Sequence, residues 1–341
     1  VGTGKSGFSI LKVLGKGIIP VIGLLISGVG QAGSEPEPVG ESLSLLSRLS
    51  HAAHDQSYRG TYVVQRGSEM ESSKILHARI HGEELTRIEV LDGRPREITR
   101  DGKETRCYYP VQHKIRIEKG YTRHLFPALI EVPYEQYLRY YDVSQVGMNR
   151  VAGRECRRIL LRARDRQRFD HEFCADVDTD LILKAVTYDQ HHEPLETLLF
   201  TEVSEDDPMS AELLKPTYPD SIQWKKVFFP PPVADHLSYQ WDIQALPPGF
   251  SKILQMSIQS TAVPGAPFEH LVFSDGLSSF SVFIRPLQGE GFRPVQARIQ
   301  SSALSYYSGT VGQHRIVVVG EVPQEVVTAI GQSMTITEET H

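Results

Sequence analysis

Apolar and polar positions recur along this chain with a spacing that changes at only a few places. From Glu41 to Ala53, Leu43, Leu46, Leu49 and Ala53 repeat at three- and four-residue steps, which predicts an amphipathic helix with Ser42 placed to cap it. From Tyr58 the period becomes two. Tyr58–Val64 reads as a strand, and Leu76, Ala78 and Ile80 alternate with His77, Arg79 and His81. Ile88 and Val90 then stand opposite Arg87 and Glu89, and the turns Asp92-Gly93 and Asp101-Gly102 separate strands near Arg96–Arg100, Glu104–Tyr109 and Val111–Glu118. Tyr121–Tyr137 breaks the alternation and reads as short helical or irregular chain. Strands return at Tyr140–Val146, Arg154–Ala163, Phe169–Val177, Leu181–Tyr188 and Pro194–Val203. This pattern favours a curved, mostly antiparallel sheet wrapped around the first helix, with a two-sheet sandwich as the alternative.

Residues 206–235 are rich in proline and close on Phe228-Phe229-Pro230-Pro231-Pro232, so they read as an extended linker. The remainder, residues 236–336, is less densely charged and predicts a smaller α+β domain. Its strands are expected at Leu271–Phe273, Phe280–Arg285 and Arg315–Val319, and its helix from Pro323 with Val326, Val327 and Ile330 on the buried side. The domain plan is therefore 33–205, a linker at 206–235, and 236–336.

The opening segment changes the picture of where the protein works. Lys5, Lys12 and Lys16 precede the uncharged run Gly17–Gly30, and Gly30-Gln31-Ala32 supplies small residues for a cleavage site. Residues 1–32 thus read as a cleaved secretory signal, with an uncleaved anchor as the alternative, although a membrane span wants about 20 apolar residues. Gly4-Lys5-Ser6 mimics the tail of a phosphate loop, but no strand or earlier glycine accompanies it. The chain has 341 residues with 36 Lys+Arg against 42 Asp+Glu, a formal charge of −6 that argues against a broad nucleic-acid surface.

Searches for chemistry return nothing catalytic: GxSxG, HExxH and CxxC are all absent, and no cofactor motif is found. Asp176–Asp180 begins like a calcium loop, but Leu181 and Thr187 stand where glycine and glutamate are needed. His171, Cys174, His191 and His192 do not form a metal set, since His171 and Cys174 fall on opposite faces of one strand. Export exposes the three cysteines to oxidation. A hairpin centred on Asp165 would set Cys156 opposite Cys174, Arg158 opposite Glu172 and, unfavourably, Arg162 opposite Arg168. Cys156 and Cys174 are then either bridged or buried as two thiols at different heights in the sheet. Arg59, Arg66, Arg79, Arg87, Arg157 and Arg158 lie among aromatic and branched strand residues. Two readings follow: an apolar concave face that holds acyl chains with arginines at its rim, or a filled core beneath a solvated face.

Several segments carry a resemblance to a known family. They are SYRGTYVVQRG at Ser57–Gly67, the run Arg150–Lys184, LPPGF at Leu246–Phe250, FSDGLSSFSVFIRPL at Phe273–Leu287 and VVVGEVP at Val317–Pro323. Together they resemble the RseB/MucB family, periplasmic negative regulators of the envelope-stress sigma factor. The resemblance implies a periplasmic protein whose N-terminal domain is an unclosed β-barrel with a helical plug, similar to the LolA/LolB lipoprotein carriers, and a smaller α+β C-terminal domain. It also implies a partner, the periplasmic part of a RseA/MucA-type anti-sigma factor shielded from the site-1 protease, and a lipid or lipopolysaccharide that releases it. The cysteine pair is not part of the resemblance. Partner contacts are expected from the C-terminal domain and linker, at Phe228, Phe229, Trp241, Phe250, Phe280 and Phe283. Of Phe280 and Phe283, three residues apart on one strand, at most one faces outward. A lipid cavity is expected from Tyr62, Val64, Leu76, Ala78, Ile80, Ile88 and Val90. The alternative function is a lipid or lipoprotein carrier using the same cavity, and self-association is left open.

Overall fold

The computed structural model describes residues 39–102, 104–119, 125–130, 133–205, 209–219, 222–229, 239–258, 268–287, 295–298 and 303–338. The expected signal and the Gly4-Lys5-Ser6 segment lie outside the described residues. Helix α1 spans Val39–Asp55, so Ser42 sits inside it as a buried residue and not as a cap. Leu46, Leu49 and Ala53 are buried as the spacing requires, and Leu45 and Ala52 extend the same apolar side.

Twelve strands form the N-terminal sheet: β1 (Tyr58–Arg66), β2 (Glu69–Ile80), β3 (Glu83–Val90), β4 (Arg96–Arg100), β5 (Glu104–Tyr109), β6 (Lys114–Lys119), β7 (Tyr141–Val151), β8 (Arg154–Ala163), β9 (Asp170–Asp176), β10 (Ile182–Tyr188), β11 (Pro194–Ser204) and β12 (Lys225–Phe229). Helix α2 (Glu135–Tyr140) leads into β7, and α3 (Ala211–Leu214) precedes β12. The spatial order is β12-β6-β5-β4-β3-β2-β1-β11-β10-β9-β8-β7, with β12 and β7 as free edges, so the sheet does not close. All pairings are antiparallel except β12 on β6. The inner face carries Tyr62, Val64, Ile75, Ile88, Phe173 and Phe200. They form one buried cluster with Leu45, Leu46 and Leu49 of α1 and with Phe126 and Ile130. Burying a side chain of this size contributes about 1.5–3 kcal/mol, so α1 and the sheet depend on each other for stability.

Part of the expected linker belongs to this sheet. Lys225–Phe229 forms the edge strand β12, and α3 packs on β2 and β3. Glu97, 3% exposed, accepts hydrogen bonds from the Thr217 backbone N–H at 2.8 Å and the Thr217 hydroxyl at 2.6 Å, and pairs with Arg87 at 3.1 Å. A carboxylate held this way pins residues 211–219 to the outer face of the sheet.

The β8–β9 register differs from the expected one by two residues: Cys156 stands opposite Asp176, and Arg158 opposite Cys174. A shift of two preserves the face of every side chain. The cysteines and the Arg158–Glu172 pair therefore still meet, as diagonal neighbours. Cys156 and Cys174 are joined in a disulfide with Cα atoms 5.3 Å apart, and Arg158 reaches Glu172 at 2.8 Å. The shift also removes the Arg162–Arg168 juxtaposition, because β9 starts only at Asp170. Asp176–Asp180 is a turn between β9 and β10, in which the Asp176 carboxylate accepts the N–H groups of Asp178 and Thr179 at 2.9 and 3.0 Å.

The C-terminal lobe holds a six-stranded sheet and a two-stranded one. The strands are β13 (Tyr239–Ile243), β14 (Ser251–Ile258), β15 (Phe268–Ser274), β16 (Ser279–Pro286), β17 (Val295–Arg298), β18 (Ser305–Val311), β19 (His314–Gly320) and β20 (Met334–Glu338). Their orders are β14-β15-β16-β19-β18-β17 and β13-β20. Helix α4 (Gln324–Ser333) follows Pro323 and lays Val326, Val327 and Ile330 on Leu271, Phe273, Phe280, Val282, Ile316 and Val318. This cluster is separate from the N-terminal one, so each lobe has its own core.

The thiols give a direct check. Burial beside Glu118 pushes the free Cys107 thiol up to about 11, which keeps it un-ionised and slow at neutral pH. Titration with a thiol reagent at pH 7.5 should find no fast thiol in the folded protein, one after unfolding without reductant, and three after reduction. Two extra thiols before reduction would refute the bridge. Replacing Cys156 and Cys174 together by serine should cost on the order of 3 kcal/mol in a denaturant titration, from the entropy of the loop the bridge closes.

Candidate functional site

One charged side chain stands at the centre of the contact between the two lobes. Arg168 lies in the loop between β8 and β9, and its side chain is 0% exposed. Its Nε donates to the Asp275 carboxylate at 2.6 Å, and its terminal nitrogens donate to Asp165 and to the Pro248 carbonyl. The flat guanidinium lies over the rings of Tyr140 at 4.3 Å and Phe250 at 5.1 Å. Asp275 is as enclosed as its partner, at 1% side-chain exposure. Its second oxygen accepts the N–H groups of Leu277 and Ser278 at 3.0 and 2.8 Å, and the Tyr141 hydroxyl donates to the first at 3.4 Å. With every oxygen occupied, the buried pair meets the condition under which burial of charge is tolerated.

The backbone around it is equally close. Gly249 has φ +89°, and a Cβ there would fall 2.2 Å from the Tyr140 ring; Gly276 has φ +101°, and a Cβ there would fall 2.5 Å from Gln136 Nε2. Only glycine suits both demands. Tyr137 donates its hydroxyl to the Gly276 carbonyl at 3.3 Å, and Ala303 completes a small buried cluster with Phe169 and Leu195. The LPPGF and SDGLS segments of the C-terminal lobe thus face α2, β7 and the Arg168 loop of the N-terminal lobe.

The six expected partner residues separate into different environments. Phe280 and Phe250 are 1% and 5% exposed and pack with Phe273 under α4, so they are core residues and not contact residues. Their ring planes fill the space that α4 closes. Phe283 lies on the other face, half-buried, in a row that runs His270–Phe283–Val317 across β15, β16 and β19. His270 stacks on Phe283 with centroids 4.2 Å apart, and Phe268 flanks it at 6.3 Å. Burial pushes the His270 ring down to about 4, aided by the Arg116 charge. Trp241 is half-buried against the C-terminal core, and its indole N–H donates to Glu269 at 3.0 Å. Phe228 is 63% exposed on edge strand β12. Phe229 ends that strand, and its side chain lies outside the described residues.

The expected cavity residues divide as well. Tyr62, Val64, Ile88 and Val90 are buried on the inner face, and the first three belong to the cluster filled by α1 and Phe126. Leu76, Ala78 and Ile80 are on the outer face, opposite Arg87, Leu85 and Glu83 of β3, so their assignment is corrected. The cause is His77. It faces inward, stacked on Tyr58 at 4.7 Å, with Nδ1 2.8 Å from the Thr86 hydroxyl. A histidine so satisfied takes an inner position that its polarity alone would not suggest. The arginines are paired within the lobe: Arg66 with Glu196, Arg79 with Asp55, Arg87 with Glu97, Arg157 with Asp180 and Arg158 with Glu172. Among the described residues the inner face is packed by α1 and Phe126, and the outer face carries a second apolar cluster of Tyr108, Ile115 and Ile117 with Tyr218, Ile222 and Trp224. No cluster of three or more potential metal ligands occurs among the described residues, and none of their helices is long and apolar enough to cross a membrane.

Comparison with known proteins places this two-lobed architecture. Residues 41–218 match the MucB/RseB N-terminal domain, and residues 235–335 match the MucB/RseB C-terminal domain. The chain belongs to the MucB/RseB family. The sigma-E factor regulatory protein RseB of Salmonella typhimurium is 27% identical over 299 residues, covering 85% of this chain and 89% of that protein. A solved Pseudomonas aeruginosa MucA/MucB complex superposes with a TM-score of 0.70 at 27% identity, covering 88% of this chain and 100% of the matched one. A crystal structure of MucB superposes with a TM-score of 0.62 at 26% identity, covering 87% and 98%. The relatives are sigma-factor regulatory proteins, and one of them is solved in complex with MucA.

Two outcomes check these placements. Phe280→Ala should cost about 3–5 kcal/mol in a denaturant titration, as for a large core aromatic, whereas Phe228→Ala should leave stability unchanged. Burial also holds His171 at about 4 instead of 6.5. Between those values the unfolded chain binds protons that the folded protein refuses, so stability is full above pH 6.5 and falls as the pH drops toward 4. Denaturation midpoints at pH 7.5, 6 and 5 should show that decline, and His171→Gln should reduce it, leaving the share that His270 contributes by the same burial.

Proposed function

We propose that this protein works in the periplasm as a regulatory binding protein of the envelope-stress response. It grips the periplasmic part of a transmembrane anti-sigma factor of the RseA/MucA type, shields it from the site-1 protease, and releases it when a lipid or lipopolysaccharide binds. The observation that carries this reading is the match of both lobes, in order, to MucB/RseB domains, together with the likeness to MucB in its complex with MucA.

The half-buried row His270–Phe283–Val317 and the exposed Phe228 are the side chains best placed for partner contact. Each offers apolar surface that its own lobe does not cover, which suits a partner segment that buries it on binding. Ligand release follows a different physics. With Tyr62, Val64 and Ile88 packed against α1 and Phe126, an acyl chain enters the N-terminal lobe only by displacing part of that filling. Such a ligand prefers whichever arrangement leaves the inner face more open, and it can release the partner only through that difference in affinity.

The test is a binding assay with the periplasmic segment of a MucA-type anti-sigma factor, repeated with lipopolysaccharide added. Saturable binding that protects the segment from site-1 cleavage, and that weakens with lipopolysaccharide, is the expected result. Phe283→Ala should weaken that binding about tenfold, within the range for an interface aromatic. Absence of binding under both conditions, with diverse lipoproteins recovered instead, would favour the carrier function.

A further inference from the structure

The junction between the lobes is chemically unlike either core. Both cores are apolar, with Leu277 of the C-terminal lobe packed against the N-terminal one, whereas the junction is centred on a charge that water does not reach. We infer that Arg168 and Asp275 form an interlobe lock, positioning residues that select the arrangement in which both lobes present one partner-binding surface. This inference rests on the regulatory-binding function proposed above.

The physical case begins with what a buried ion pair does. Desolvation of both charges offsets most of their attraction, so the pair adds little net stability, yet removal of either member strands the other without water. Across a separable junction the balance takes a particular form. When the lobes part, both charges are rehydrated, and hydration returns what enclosure took away. An apolar contact such as Phe169–Leu195–Ala303 has no such compensation, because its surface is simply exposed to water. The Arg168–Asp275 contact is therefore strict about geometry and lenient about opening. Those are the properties of an element with two discrete arrangements.

The surroundings sharpen the geometric demand. Arg168 is held by groups from both sides, Asp165 and Tyr140 from its own lobe and Asp275, Pro248 and Phe250 from the other. A small rotation of one lobe breaks several of these at once while leaving both cores intact. Gly249 and Gly276 let the two backbones approach to the distance at which the guanidinium is shared. No partner contact is required of Arg168 itself, since it is enclosed; its effect on binding runs through the lobe arrangement.

The experiment compares the full chain with Asp275→Asn and Gly276→Ala. Asparagine keeps an oxygen for the Leu277 and Ser278 N–H groups but removes the charge. Alanine leaves every charge in place and drives a methyl group toward Gln136 and Tyr137. Small-angle scattering reads the lobe arrangement, far-UV circular dichroism reads the two folds, and titration with the Pseudomonas aeruginosa MucA periplasmic segment reads binding. Both variants should keep their circular dichroism, increase the radius of gyration and bind at least about fivefold more weakly, at the low end of usual site-to-site coupling. Arg168→Lys, which keeps charge but loses the fork, should fall between them and the parent. A compact Asp275→Asn with parental affinity overturns the lock, and so does an opened one with parental affinity. If Asp275→Asn loses its fold, Gly276→Ala decides by the same two readouts. Failure of the parent chain to bind the segment would count against the proposed function, while scattering still decides whether the pair holds the lobes.

Discussion

Arg168 carries a full charge into a space without solvent, and groups from two separately folded lobes are needed to make that position tolerable. Its aromatic lid, its carboxylate and its carbonyl acceptor come from α2, from the SDGLS turn and from the LPPGF loop. Their shape makes sense only when the guanidinium is placed among them: Gly249 and Gly276 take left-handed backbone to approach α2, and Asp275 caps its own turn while presenting an oxygen outward. The orientation of the C-terminal sheet, and hence the direction in which the His270–Phe283–Val317 row faces, is set at this junction together with the Tyr137–Gly276 and Phe169–Leu195–Ala303 contacts.

The N-terminal lobe obeys a simpler constraint. An unclosed sheet leaves an apolar inner face that must be covered, and α1 with Phe126 and Ile130 covers it. Arg66, Arg87 and Arg158 are paired with carboxylates of neighbouring strands. Among the described residues, α1, Phe126 and Ile130 pack against this inner face. Any amphiphile competes with the protein's own side chains for the same volume, which makes binding and rearrangement one event.

Much of this was legible from residue patterns, and the failures have specific causes. Strands β8 to β11 fall within a residue or two of the alternation, because each carries a half-buried face bounded by clear turns. The cysteine hairpin was placed on the correct strands with the wrong register, since loop length alone does not fix where pairing begins. In β2 the inward parity went to Leu76, Ala78 and Ile80 because hydrophobicity outranks histidine, whereas Ile75 and His77 are the inner residues. One polar side chain with two good partners was enough to invert a strand. Lys225–Phe229 was absorbed into the linker by the prolines that follow it, and its parallel pairing with β6 leaves no local trace. Phe250 and Phe280 look like contact aromatics in a sequence; the C-terminal core, and for Phe250 also the Arg168 guanidinium, encloses them. The Arg168 junction was invisible because its members are spread from Tyr137 to Gly276, and an arginine in a charged loop gives no sign of enclosure.

The docking of β12 onto β6 has a consequence for scale. Because the chain is fastened to the N-terminal sheet as far as Phe229 and rejoins a strand at Tyr239, only ten peptide steps span the gap between the lobes. Fully stretched, they reach about 35 Å. The covalent connection alone therefore keeps a separated C-terminal lobe within that distance of Phe229, and rejoining would be a matter of reorientation with no search through bulk solvent.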